Sequence, residues 1–459
     1  MKRRNFIKTG ISATLGFGAG LTILADPASV HGAAANDKIG LALIGCGGRG
    51  TQLLHGFDYP NNSRMTGFQE FDDVNILYCC DLQKGRGERV AQQANTKYVA
   101  EMRTVLDDKN VDAVITALPD HWHALAAILA CQAGKDVFTE KPASHSAWEG
   151  QKMVEAARKY NRIVQHGTQC RSAPYCMEAR KFIEDGKLGN IHLCRVFNQK
   201  REMNTFKIKT GEAVPEGLNW SAWLGPAAER PYSSTIISHN WHELWDFAMG
   251  DLGNDGVHQL DLARWLIGKE FPKTAYAVGG RYTDPDGDGE TPDTFIATYE
   301  YDDMVMTAEE TLFTDYILKI DPVVRQTDTF PLWMQCATRI ELYGTKGLMM
   351  VARHGGGWQV FVRPKDRQPV VSAFQHGRFP DVEHKRNFLD CVRSRELPNA
   401  DIEKGHRSTL LVHYPCISYR LGGAKLEINQ EDGTILNNPA AAKYWKRDYR
   451  SPFVVPDIP

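Results

Sequence analysis

One stretch constrains this chain more than any other: 39-IGLALIGCGGRGTQLL-54. An unbroken apolar run stops at glycine, a glycine loop follows, and a helix-forming segment comes next. The run suits a strand buried on both faces, as in a parallel sheet. Gly45, Gly47 and Gly50 space as G-x-G-x-x-G. In that pattern one glycine makes a tight turn, one lets a pyrophosphate approach the backbone, and one lets helix and strand pack closely. Gly48 and Arg49 complete the loop as further cofactor-binding candidates.

The pattern then repeats. Strand-like 75-NILYCCD-81 ends on Asp81, an acid placed to bind the ribose hydroxyls of NAD and to repel a 2′-phosphate. It lies further from the loop than usual, which we assign to an insertion across 57–73. Lys84 and Arg86 follow it and leave NADP open. A third strand, 111-VDAVITALP-119, precedes a helix for which Asp120 is the expected N-cap. A fourth, within 136-DVFTEKP-142, precedes a Ser146–Glu149 capping box. Strand 162–169 closes the series. Alternation of this kind predicts a doubly wound α/β Rossmann domain over 35–168.

Beyond it, strand-like runs joined by short Asp/Gly turns predict an α+β domain over 169–423 with a large, mainly antiparallel open sheet. Two helices are expected near 380–395 and 402–421. Residues 424–459 read as an extended tail. Length alone, 459 residues, argues for two domains.

The N-terminus is of another kind. Lys2, Arg3, Arg4 and Lys8 precede a mild apolar run and then small residues, the order of a signal peptide over 1–34. Arg3-Arg4-Asn5-Phe6 is similar to a twin-arginine signal, which implies export in the folded state, to a periplasm, and no stable membrane span after cleavage. The ten cysteines include no Cys-x-x-Cys pair and read as reduced core thiols. A net charge of −2 leaves no electrostatic footprint for nucleic acid.

Three further stretches carry candidate chemistry. Glu140-Lys141-Pro142 falls at the carboxyl end of a parallel strand, where ligands bind in such sheets. Lys141 there is a candidate for proton transfer. Pro119, His121 and His123 end the preceding strand and are expected to line the cofactor crevice, although both histidines also read as polar residues at a helix start. In 251-DLGNDGVHQLDLARW-265, His258 follows two glycines and precedes Asp261 by three residues, so one helix face would hold both. Trp241 and His242 lie just upstream and suit a sugar face and its hydroxyls. Gln169 and Arg171 lie where the domains join. His239, His242, His258 and Asp261 lack a strong ligand spacing, and no metal is assigned.

Together the glycine loop, Asp81, Glu140-Lys141-Pro142 and the Gly-x-His-x-x-Asp stretch resemble the Gfo/Idh/MocA oxidoreductases, over about 37–423. The resemblance implies an NAD- or NADP-dependent enzyme that moves a hydride on a sugar, glycoside or polyol. It implies Lys141 as a positioning and proton-transfer residue and His258 as acid/base, with Asn254 in the substrate site. One position departs from the family: an Asp four residues before the histidine is replaced by Asn254, and the acid stands at Asp255. Two other outcomes of the same parts are a glycosidase using transient oxidation and a sugar-binding protein without turnover. Export implies a tightly bound cofactor. An open sheet implies a homo-oligomer.

Overall fold

The computed structural model describes residues 38–59, 64–201 and 205–458. The expected signal segment lies outside them. In chain order the strands are β1 Ile39–Ile44, β2 Phe57–Asp58, β3 Arg64–Met65, β4 Val74–Cys80, β5 Lys97–Val99, β6 Ala113–Thr116, β7 Asp136–Thr139 and β8 Val164–His166. Apart from the small β2–β3 ribbon, these form one parallel sheet in the order β5-β4-β1-β6-β7-β8. The order turns at β1, so successive crossovers leave it in opposite directions and open a crevice at the strand ends. All six residues of β1 are buried, as its unbroken apolar sequence requires. The ribbon β2–β3 fills the insertion expected between the glycine loop and Asp81.

The second half continues with β9 Ile191–Gln199, β10 Thr274–Gly280, β11 Thr294–Glu300, β12 Val305–Thr311, β13 Arg339–Gly344, β14 Gly347–Ala352, β15 Trp358–Lys365, β16 Gln368–Gln375 and β17 Leu426–Glu427. Their order is β16-β15-β14-β13-β9-β12-β11-β10-β17, parallel only between β9 and β12. Helices Val257–Ile267 and Ile402–Arg420 pack their apolar faces with residues of this sheet in one core. The β15–β16 hairpin escapes the sequence reading. Its turn residues Asp366 and Arg367 both have positive φ, 52° and 62°, without the Asn-Gly signal such a turn usually carries.

The chain does not stay in its second half. Helix Asp381–Ser394 returns to the first sheet, where Phe388 and Leu389 are sealed in one cluster with Phe68 and Phe138. The Phe138 and Phe388 rings meet edge to face at 5.7 Å. The tail returns too. Two short helical turns, Pro439–Ala441 and Ala442–Trp445, interrupt its extended run. Val455 is buried in the core around helix Asp120–Gln132, and Phe453 packs on Trp122. Arg447 Nε donates to Glu149 Oε1 at 2.6 Å. Ser146 Oγ accepts from Glu149 N, so the expected capping box is half made and its other half is drawn to the tail.

Asp120 differs from its expected role. Pro119 is the N-cap and Asp120 is the first helical residue, with no side-chain cap bond. Burial pushes its carboxyl up to about 8, against the pull of Lys141. All ten cysteines are buried and unpaired. No helix among the described residues is long and apolar enough to cross a membrane.

Helix Asp381–Ser394 is thus a structural part of the first core. Phe388→Ala is expected to cost about 3–5 kcal/mol of unfolding free energy. Denaturant unfolding checks this, and a loss below about 1 kcal/mol counts against the assignment.

Candidate functional site

The glycine loop closes the carboxyl end of β1. Gly45 has φ +96°, and a Cβ there would sit 2.3 Å from the Ala117 carbonyl oxygen. At Gly50 a Cβ would sit 1.9 Å from the Gly45 carbonyl oxygen. These two glycines set the turn and the helix–strand approach. Gly47 and Gly48 differ: a Cβ at Gly48 meets nothing, and at Gly47 only Arg86 at 3.8 Å. They face open ground at the start of helix Gly48–His55, where backbone N–H groups can receive a pyrophosphate. The loop therefore fits a dinucleotide.

Asp81 stands at the next strand end. Its carboxylate accepts from Cys46 N and Gln83 N, both at 2.8 Å, so it fixes the loop. Arg86 Nη1 lies 3.9 Å away. Gln83, Lys84, Arg86 and Arg89 line a cavity of about 420 Å³ beside it. Arg49 turns from the loop to Glu140, Nε to Oε1 at 2.6 Å. Burial pushes the Glu140 carboxyl up, but Arg49 and Lys141 outweigh it and hold it near 2.

Lys141 leaves the first sheet here and reaches the second half of the chain. Its Nζ donates to Asn254 Oδ1 at 2.9 Å and to the Asn254 carbonyl. The acceptor lies in a local irregularity. Residues Leu252–Gly256 form a π turn that runs directly into helix Val257–Ile267. Such a turn breaks the regular i→i−4 ladder and frees carbonyls for other partners. Asn254 therefore holds Lys141, which answers what an amide does where the family pattern has an acid.

Behind Asn254 lies a buried charge network. Asn254 Nδ2 donates to Asp251 Oδ1 at 2.9 Å. Lys200, 1% exposed, lies 3.1 Å from both Asp251 and Asp255. Lys319 reaches Asp255 at 3.1 Å. Asn198 Nδ2 bridges Asp251 and Glu310, each at 2.8 Å. Burial and then Asp251 push the Glu310 carboxyl well above its usual range. Glu243 is pushed up to about 8 by burial and Asp251, despite a bond from the Thr291 hydroxyl.

His258 sits one turn beyond Asn254, in the first turn of helix Val257–Ile267 as its sequence position suggests. It is buried, and neither ring nitrogen meets a hydrogen-bond partner among the described residues. Burial, Arg353 and Lys141 together hold it well below the usual histidine range, against the pull of Asp255. It is a neutral imidazole with a free lone pair near neutral pH.

The remaining candidates divide. Burial and then His239 hold His242 well below the usual histidine range, with Lys141 and Lys200 adding to this, and Trp241 stacks on its ring at 3.5 Å. These two border the same polar centre. Asp261 does not orient His258, because Arg171 and the Ser408 hydroxyl take its carboxylate at 2.9 and 2.6 Å. Arg171 is thereby tied as well. Gln169 is buried and its Oε1 has no partner. His121 Nε2 meets the Trp223 carbonyl at 2.9 Å. Both ring nitrogens of His123 meet backbone carbonyls, those of Pro142 and Leu118. These two histidines pin backbone, and the sequence could not separate that from a place in the crevice. No group of three metal-ligating side chains occurs among the described residues. Lys200, Asp251 and Glu243 escaped the reading, since nothing local distinguishes a buried lysine after a strand from a surface one.

Comparison with known proteins gives the same two-part division. Residues 39–168 match the model of an oxidoreductase family with an NAD-binding Rossmann fold. Residues 177–303 match that family's C-terminal alpha/beta domain, and the two together cover more than half of the chain. A levoglucosan dehydrogenase of Pseudarthrobacter phenanthrenivorans is 27% identical over 170 residues, 37% of this chain and 36% of the relative. Inositol 2-dehydrogenase 1 of Saccharopolyspora erythraea is 27% identical over 202 residues, 43% of this chain and 48% of the relative. The matched stretches thus span less than half of either curated relative. A solved levoglucosan dehydrogenase, in complex with NADH and levoglucosan, shares the fold at a TM-score of 0.61 and 16% identity, over 86% of this chain and 100% of that one.

Two outcomes check the network. Lys200→Met leaves Asp251 and Asp255 facing each other with less compensation, and unfolding free energy should fall by about 3–5 kcal/mol. Glu243 binds its proton more tightly folded than unfolded, at about 8 against 4.5. Its contribution is complete below pH 4.5 and is lost as pH rises through 8. Glu243→Gln should therefore flatten the fall in melting temperature between about pH 5 and 9. An unchanged slope shows that Glu243 titrates normally.

Proposed function

The chain belongs to the Gfo/Idh/MocA oxidoreductase family, and on that premise we propose that it is an NAD(P)-dependent dehydrogenase of a sugar, glycoside or polyol. The observation that carries the reading is the Lys141–Asn254 contact, which joins the dinucleotide crevice to the helix that bears His258. Gly47, Gly48 and the start of helix Gly48–His55 would hold the pyrophosphate, and Asp81 the ribose hydroxyls. When bound, the nicotinamide supplies the hydride-accepting ring.

The chain's own residues do the proton work. His258, neutral and unpartnered, takes the proton of the reacting hydroxyl. Lys141, anchored on Asn254, places a positive charge where the alkoxide character develops. Asp251 fixes Asn254, and so fixes Lys141. Trp241 and His242, stacked on each other, are our candidates to meet the sugar ring and a hydroxyl.

Export of the folded protein with cofactor aboard finds its support in residues 1–35 alone, and cell fractionation tests it. A homo-oligomer finds support on the outer face of the second sheet. Val278 and Ile296 lie opposite each other there, 59% and 45% exposed.

His258→Ala should lower NADH formation by about 10²- to 10⁴-fold and leave NAD binding intact. Retained turnover would remove His258 from the base role. The depressed histidine keeps its lone pair as acid is added, so kcat/KM should stay level from about pH 8 to pH 6. A fall centred at about 6.5, the ordinary histidine value, points to another, exposed histidine.

A further inference from the structure

Among the described residues the fully buried guanidinium groups are paired with acids except that of Arg353, and the half-buried Arg325 beside it is unpaired too. Arg171 meets Asp261, Arg264 meets Glu270 and Arg339 meets Glu341. Arg353 and Arg325 make no ion pair with a carboxylate among the described residues. Arg353 is 4% exposed, its Nε is sealed without an acceptor, and its Nη1 meets only the His354 ring. The Arg325 Nε is sealed and unpartnered as well, and its guanidinium stacks on Phe379 at 3.8 Å and over Tyr59 at 5.0 Å. Arg353 shares the Phe379 ring at 5.4 Å. Asp381 and Asp255 act on this pair only from beyond contact, and Asp255 is held by Lys200 and Lys319.

The topology brings this place to the candidate site. Thr311 of β12 lies opposite Gln199 of β9, Gln199 N donates to the Ala337 carbonyl, and Arg339 of β13 lies opposite Ala352 of β14. Lys200, Arg353 and the connection 312–337, which carries Lys319 and Arg325, therefore leave the sheet at one end. Lys200 and Lys319 end on Asp255 in the π turn. Arg353 is also the charge that acts most strongly on His258.

A buried guanidinium without a counter-ion is unfavourable unless a ligand supplies the charge. Stacked on an aromatic face, it presents its N–H edge as a fork that fits a planar oxyanion. We propose that Arg353 and Arg325 form an oxyanion-recognising end of the substrate pocket, so that the sugar oxidised beside His258 carries a carboxylate or a phosphate. This rests on the dehydrogenase reading above.

The test uses the full chain loaded with NAD and the probes glucose, galactose, glucuronate, galacturonate and glucose 6-phosphate. NADH formation and calorimetric binding are measured side by side. At least one anionic sugar should exceed its neutral counterpart by about tenfold or more in kcat/KM, and the two kinds of anion tell carboxylate from phosphate. Arg353→Gln and Arg325→Gln should each bring that ratio toward one through KM, with Arg353→Lys between, while NAD affinity stays at its unmutated value. Weakened NAD binding would place the pair on the cofactor's phosphates and overturn the inference. Neutral sugars that bind and react as well as the anions also overturn it. Arg353-dependent binding of an anion without any NADH formation would sink the dehydrogenase reading and leave the oxyanion site itself standing.

Discussion

The contact between Lys141 and Asn254 is the constraint around which the rest of the site is arranged. It spans the two sheets, from the carboxyl end of β7 to the π turn ahead of helix Val257–Ile267. A lysine at such a strand end is ordinarily free to move in solvent. Here its ammonium is held by two oxygens of one residue, and that residue is held by Asp251. The carbonyl lies in the π turn, where the regular helix ladder is interrupted. A small local irregularity thus fixes the position of a long, flexible side chain.

The network behind that contact has the same logic. Asp251 and Asp255 are buried four residues apart, and Lys200 neutralises both from the end of β9. Buried charge of this kind adds little net stability, because desolvation offsets the attraction. Removing one partner alone is costly, because it leaves the others buried and unpaired. Glu243 and Glu310 then keep their protons, since further negative charge beside Asp251 is unfavourable in a dry interior.

His258 and Arg353 show the opposite state, groups to which no described carboxylate is bonded. In an interior where polar groups are normally satisfied, a guanidinium whose Nε has no acceptor, acting on a neutral imidazole, marks where a ligand belongs. They lie at the same end of the second sheet. Asp261 and Arg171, by contrast, satisfy each other and bind the helix to its neighbours.

The sequence by itself determined the elements with a local cause. The apolar run of β1 and the glycines after it specify a buried parallel strand and its turn, because Gly45 and Gly50 have no room for a Cβ. Lys141 and His258 stand out from their motifs, and Asn254 from its departure from the motif. Tertiary structure alone decided which polar residues work and which merely hold. His121 and His123 sit at a strand end as cofactor contacts would, yet backbone carbonyls from distant segments occupy their ring nitrogens. Nothing local in the sequence marks Lys200 or Arg353 as buried. Their burial depends on the sheet order that brings the ends of β9, β12, β13 and β14 together, and no local pattern encodes which strands will be neighbours. Charge and burial are properties of that assembled environment, so the roles of these residues become visible only in it.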